Sequence, residues 1–331
     1  MKRIAKWMLL VLALALAAGC NGDDEDSTGP ALDPKAQRAL EVGGTPVALA
    51  VGEGGVWIAD NSGSKLVGVT KGNTDAYRRG ASFKVAAGPL AVATGEGAVW
   101  AASGDGTVTR LDPGQGEITE LDRAVPQPGG IAVGGGSIWV TSSAEDSVYR
   151  FDAATGKPSG EIEVGAFPTD VVADESSVWV ANTEDGTVTR IDPASGEADP
   201  PAEVASQQVL ALALGEDGLW VAGTDDERAE TIEVGRLDPE SEELDDIATE
   251  IDAGIPVDLA AGEGGVWATL LGGLSAPGTN PPGRVAVIDP ATGEAATDPV
   301  RVGARPSGVA VGEGAVWVAN AGDGTLTRID P

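Results

Sequence analysis

The sequence contains no histidine. That one absence removes the commonest general base and the commonest metal ligand. It contains a single cysteine, Cys20, so no intramolecular disulfide can form. Aromatic residues make up only 4% of the chain, and most of them are Trp. Any core must therefore be aliphatic, with a few large anchors. Positive charge is also scarce, with 21 Lys and Arg against 52 Asp and Glu and a net charge of −31. Such a chain repels phosphates instead of releasing their counterions, which excludes nucleic acid as a partner. The acidity reads as a solvated, aggregation-resistant surface, with a high-salt habitat or a cationic ligand as alternatives. Beyond residue 45 no amphipathic helical pattern stands out.

What is abundant is glycine, with 48 residues in a chain of 331, and repetition. Short alternating runs of Val, Ile, Leu, Ala and Trp are bounded by Gly, Asp and Pro, which are strand and turn signals. "VADESSVWVANTEDGTVTRIDP" (residues 172–193) returns as "TGEGAVWAASGDGTVTRLDP" (residues 94–113) and closes the chain as "VGEGAVWVANAGDGTLTRIDP" (residues 311–331). Trp7 aside, the Trp residues are Trp57, Trp100, Trp139, Trp179, Trp220, Trp267 and Trp317, spaced 43, 39, 40, 41, 47 and 50 apart. A period of about 40–50 residues carrying four short strands predicts a β-propeller with one blade per repeat. The expected fold is all-β: seven blades of four antiparallel strands, A to D in chain order.

The final copy reads as strand A (residues 306–314), strand B (315–320), an "AGDG" turn and strand C (325–331), and there the chain stops. The Asp-Gly pair fits a two-residue hairpin turn in which both positions need positive φ. A strand D for this blade is found at the other end of the chain. "LEVGGTPVALAVGEGGVW" near the start parallels "VRVGARPSGVAVGEGAVW" near the end. The N-terminal segment 39–46 is thus expected to close blade seven, leaving no open sheet edge. The recurring Trp reads as packing between sheets. The recurring Arg-x-Asp pairs (Arg110/Asp112, Arg150/Asp152, Arg190/Asp192, Arg236/Asp238, Arg328/Asp330) leave one face of strand C and read as structural ion pairs.

The first residues, "MKRIAKWMLLVLALALAAGC", have a basic start and a twelve-residue apolar run, too short to span a membrane. Cys20 directly after Ala17-Ala18-Gly19 resembles the lipobox of bacterial lipoproteins, in which the Cys is acylated and becomes the mature N-terminus. Ala17 stands where that motif usually has Leu. The alternative is an ordinary signal peptide ending in a chance Cys. The resulting division is a lipoprotein signal over residues 1–19, a lipidated Cys20 with an acidic disordered tether over 20–37, and the propeller over 38–331. Asp23, Asp24, Glu25 and Asp26 lack the spacing of a calcium loop. The implied location is the cell envelope, outside the cytoplasm and attached to the membrane through the lipid.

"VWVANTEDGTVTRIDPASGE" (residues 178–197), with its partner repeats, resembles the repeat of streptogramin (virginiamycin B) lyase-like propellers and the related YVTN-repeat propellers. The resemblance covers residues 39–331. In that lyase family a His base and a magnesium ion open a cyclic depsipeptide, and the His falls near Asn320 or Ala321 here. With no His, that role has no counterpart in this chain. The resemblance therefore implies the fold and not the reaction. The expected function is a non-catalytic binding or scaffold module without cofactor or metal. A carboxylate-based lyase or hydrolase and an envelope assembly partner are the alternatives. A monomer is expected, with an unknown small molecule, glycan or protein as ligand.

Function in repeat proteins resides where repeats differ. The B–C connections of blades 5 and 6 are expanded, over residues 223–234 and 270–284, on the face that also carries the D–A loops. The third residue after each Trp is expected to line that rim: Asp60, Ser103, Ser142, Asn182, Gly223, Leu270 and Asn320. The D–A loops add Phe167, Gln207, Gln208, Ile255 and Arg305. Arg305 is a cation in an acidic body and suits an anionic ligand group.

The lipid anchor has a direct test. Cys20→Ser is expected to leave unprocessed or released protein, whereas the wild type partitions into detergent and carries acyl chains by mass spectrometry. Equal membrane fractionation of the two, with no acyl chain found, contradicts it.

Overall fold

The computed structural model describes residues 36–72, 76–204, 207–216, 218–224, 232–237, 249–251, 255–271 and 282–331. The signal, most of the tether, and residues 225–231 and 272–281 of the two expanded connections lie outside these. The described residues form seven four-stranded antiparallel sheets and no helix. Each innermost strand A touches the strands A of both neighbouring blades, so the seven close a ring around a central channel.

The sequence shapes this ring at two recurring places. In blades 1, 2, 3, 6 and 7 strand A ends in a Gly and turns through two residues into strand B, whereas in blade 4 it ends at Ala173 and the Asp174 carboxylate holds the turn. Glu53-Gly54, Glu96-Gly97, Gly135-Gly136, Glu263-Gly264 and Glu313-Gly314 all have positive φ at both positions, the type I′ geometry that matches strand twist. The two-residue turns are thus at A–B. The B–C turns, expected to have this form, instead use four residues of which one is left-handed: Gly106, Gly186 and Gly324 in blades 2, 4 and 7, and Ser64 and Asp146 in blades 1 and 3. The second place is strand B. Its Trp residues are between 0% and 5% exposed and pack against neighbouring sheets. The indole N–H of Trp57, Trp100, Trp139, Trp267 and Trp317 donates to the carbonyl of the Gly that ends strand A, at 3.0–3.2 Å.

The Arg-x-Asp motif works differently from the expected ion pair. Arg110, Arg150, Arg190 and Arg328 lie directly opposite Trp100, Trp139, Trp179 and Trp317 across the B–C ladder. Each guanidinium sits 4.8–5.8 Å from the indole centroid, a cation–π contact. The Asp turns outwards and caps the C–D turn. Asp112 accepts from the amides of Gly114 and Gln115, and Asp192 from those of Ala194 and Ser195. Bonds from the hydroxyl and amide of Thr155 hold the Asp152 carboxyl below its usual range. Asp238 lies outside the described residues; of the four pairs described in full, only Arg328–Asp330 forms an ion pair, at 2.5 Å.

The ring is closed as expected. Leu40–Glu41 pairs antiparallel with Thr325–Ile329, so blade seven has three C-terminal strands and one N-terminal strand. The pairing starts before the expected boundary at residue 38. Ala36 bridges Ile329, and Gln37 bonds to the Arg328 carbonyl at 2.8 Å and to Asp330 at 2.7 Å. Val42 is fully buried, and Leu40 packs on the cluster of Trp317, Leu326 and Ile58. Deleting residues 37–44 exposes the edge of Thr325–Ile329 and uncovers this apolar surface. The expected loss is about 3–5 kcal/mol, read as a drop in Tm. A deletion variant that melts with the full chain contradicts the clasp.

Candidate functional site

The D–A and B–C loops meet on one face of the ring. The residue just after strand B donates its amide to the residue just before strand A: Asn61 to Thr45, Gly104 to Gly88, Ser143 to Gln127, Thr183 to Phe167, and Ala321 to Arg305, at 2.9–3.2 Å. Carboxylates of the B–C turns reinforce the joint. Asp105, Asp185 and Asp323 accept from the amides of Ala87, Ala166 and Ala304, and Asp146 accepts from the Phe167 amide of the next loop. These four acids are therefore committed to backbone.

The residues expected to line the rim lie below it. Asp60, Ser103, Ser142, Asn182, Leu270 and Asn320 are all 0% exposed, and Gly223 is also buried. They staple the loop above them. Asp60 accepts from the Thr45 and Gly63 amides and pairs with Lys65 at 3.2 Å. Ser103 and Ser142 donate to the Ala86 and Pro126 carbonyls. Asn182 and Asn320 each donate to two Thr hydroxyls of strand C, Thr187 and Thr189 or Thr325 and Thr327. Their amides fill space that only Gly165 and Gly303 leave open: a Cβ on either would come within 2.6 Å. Leu270 belongs to the apolar core of blade 6. As a ring of ligand contacts, this set fails because its polar groups are turned inwards.

The D–A residues fare differently. The cross-strand register aligns Thr45, Gly88, Gln127, Phe167, Gln208, Ile255 and Arg305 as the residues entering strand A, around the channel mouth. Gln207 sits one step earlier and is exposed. Gln208 is half-buried. Ile255 opens its strand opposite Leu271. Gln127 is exposed, and Phe167 and Arg305 are half-buried. Gln127, Phe167 and Arg305 have φ of +44°, +55° and +52°, and blade 2 has Gly88 at the same place with φ +64°. Each of the three precedes a Pro, which further narrows the residue before it. A left-handed conformation costs a residue with a side chain roughly 1–2 kcal/mol. Three blades thus carry a strained side chain where Gly fits. Gln127 was missed by the sequence reading; its signal was a non-Gly residue before the strand-A Pro. Partial burial holds the Arg305 guanidinium below its ordinary pKa, and among the described residues no carboxylate pairs with it. Among the described residues no three Asp, Glu or Cys side chains converge to hold a metal ion.

No protein-family profile matches the chain, and no curated protein does. Solved structures do. The chain is similar to the structure of U3-55K, at 9% identity over 91% of this chain and all of that one, with a TM-score of 0.72. It is similar to virginiamycin B lyase from Staphylococcus aureus, at 20% identity over 90% of this chain and 99% of that one, with a TM-score of 0.66. The WD40 repeats of RRP9 match at 9% identity over 88% and 96%, with a TM-score of 0.67. The chain is a seven-bladed β-propeller. The likenesses reach no further than this fold, which a lyase and WD40 proteins share.

Asp323 provides a test of the loop joint. Its carboxylate accepts from the Ala304 amide at 2.8 Å and the Thr325 hydroxyl at 2.6 Å. Asp323→Ala is expected to lower stability by about 1–2 kcal/mol in denaturant unfolding. An unchanged midpoint contradicts the assignment.

Proposed function

We propose that this protein is a lipid-anchored, extracytoplasmic, non-catalytic binding or scaffold module that engages its ligand at the channel mouth, around Gln127, Phe167 and Arg305. The carrying observation is the conserved geometry but unequal chemistry of the residues entering strand A. Backbone bonds from the B–C loop fix their conformation, and three blades bear side chains at a conformational cost. Such strain points from an observed outlier to a use. The use is recognition: an aromatic face, a half-buried cation and an amide suit a ligand with an anionic group and a flat apolar part. The chain has no His, and the acids of the D–A/B–C joint bind backbone, which disfavours general-base chemistry. Ile118 is the one large apolar side chain exposed among the described residues, which therefore present no broad apolar docking patch.

The test separates strain from function. In Phe167→Gly and Arg305→Gly, relief of the left-handed strain offsets the added chain entropy, so Tm is expected to move by only about 1–2 °C. The thermal shift given by a hit from a panel of envelope glycans and peptides is expected to vanish in both variants. Hits that are indifferent to both substitutions contradict the site. Turnover of a streptogramin B by purified protein with magnesium, above a heat-killed control, contradicts the non-catalytic reading.

A further inference from the structure

Two acids stand in the inner wall of the ring. Counting from the residue paired with each strand-B Trp, the position two residues earlier in strand A is Ala48, Ala91, Gly130, Asp170, Ala211, Asp258 and Gly308. Five blades place Ala or Gly there, because adjacent strands A approach closely. A Cβ at Gly130 would lie 2.9 Å from the Val171 amide nitrogen of the next blade. Blades 4 and 6 place Asp. Each carboxylate reaches across to the following blade. Asp170 accepts from its neighbour Val171 and from Leu212 of blade 5, both at 2.8 Å. Asp258 accepts from Leu259 and from Val309 of blade 7, both at 2.9 Å.

Nothing nearby balances these charges. The strands packed against Asp170 (Pro128–Gly134, Ser137–Ser142, Val178–Asn182, Gln208–Gly215) carry no titratable or charged residue. Neither do those packed against Asp258 (Gln208–Gly215, Gly218–Thr224, Gly265–Leu271, Pro306–Gly312). Arg305 is at the mouth, and Glu175 and Glu263 are exposed at the far end of the two strands.

We propose that Asp170 and Asp258 form a pH-sensitive latch in the inner wall, which holds blade 4 to blade 5 and blade 6 to blade 7 tightly while the pair keeps a proton and loosens these joints when both carboxyls are ionised. Both side chains are half-buried in the wall, and loss of solvation, with Asp170's charge adding to it, outweighs the amide bonds that favour the ionised form and pushes Asp258 up to about 7; the same loss also raises Asp170. The folded-state value of Asp258 thus lies above its ordinary value of 3.8. The folded ring binds more protons than the unfolded chain, so stability is greatest at low pH and falls as pH rises through about 7. The missing histidine makes this legible, because no other side chain of ordinary pKa titrates between about pH 5.5 and 7.5.

The experiment is thermal melting of the full chain at about pH 5.5, 7 and 8.5. Wild-type Tm is expected to fall by roughly 3 °C or more across this range and then to level off. Asp258→Asn should flatten the profile, and Asp170→Asn should move the fall to lower pH. A wild-type profile as flat as that of Asp258→Asn overturns the latch, as does the same fall in both. If the variants do not fold, infrared spectra of the wild type decide. A protonated-carboxyl band that persists at about pH 6 and disappears by about pH 8.5 supports the latch, and its absence at about pH 6 overturns it. Millimolar calcium that restores Tm at about pH 8.5 in the wild type alone makes the pair a cation site and likewise overturns it.

Discussion

The ring depends on how closely one blade can approach the next where strand A ends, which in every blade but the fourth is at a glycine. A Cβ at Gly52 would lie 2.5 Å from the Thr94 hydroxyl, one at Gly95 would lie 2.8 Å from Val133, and one at Gly312 would lie 2.7 Å from Val51. No side chain fits at those distances. The same glycines present their carbonyls to the strand-B indoles. Backbone contact and the largest side chain of the blade are therefore fixed together. Closing the seventh gap with Leu40–Glu41 lets the packing run round the ring without a free edge. With no disulfide and few aromatics, this shared geometry is what the fold has to hold it.

That constraint decides where the repeats are free to differ. Inside the sheets, Trp, Gly and the stapling residue after strand B are tied to one another. At the channel mouth the backbone is still fixed, by the amide that follows strand B, but the side chain is not. Thr45, Gly88, Gln127, Phe167 and Arg305 share one position and differ in size, charge and polarity. A uniform scaffold that presents unlike side chains around one opening is suited to recognition. The inner wall is the second place of difference, where Asp170 and Asp258 replace Ala or Gly.

The fold was legible because its determinants recur. Seven Trp at near-even spacing gave the blades, and the parallel between residues 39–46 and 298–306 gave the clasp. The site was less legible for physical reasons. Asn182 and Asn320 look like rim residues by count, yet their amides point into the hole left by Gly165 and Gly303. Arg110, Arg150 and Arg190 were paired with the wrong neighbour, because sequence spacing shows the Asp two residues on and hides the Trp across the ladder. Asp170 and Asp258 had a signal, in "PTD" and "PVD" set against "PVA", "PLA" and "PSG". It gains meaning only once strand A is known to be the inner wall.

The central claim is that function sits at the mouth framed by the D–A and B–C loops. Its most direct measurement is site-specific photo-crosslinking in the native host cell, with the probe at Phe167 in one variant and at Glu96, on the opposite A–B face, in another. The account predicts a discrete adduct from position 167 and none from position 96. An adduct from position 96 alone would contradict it.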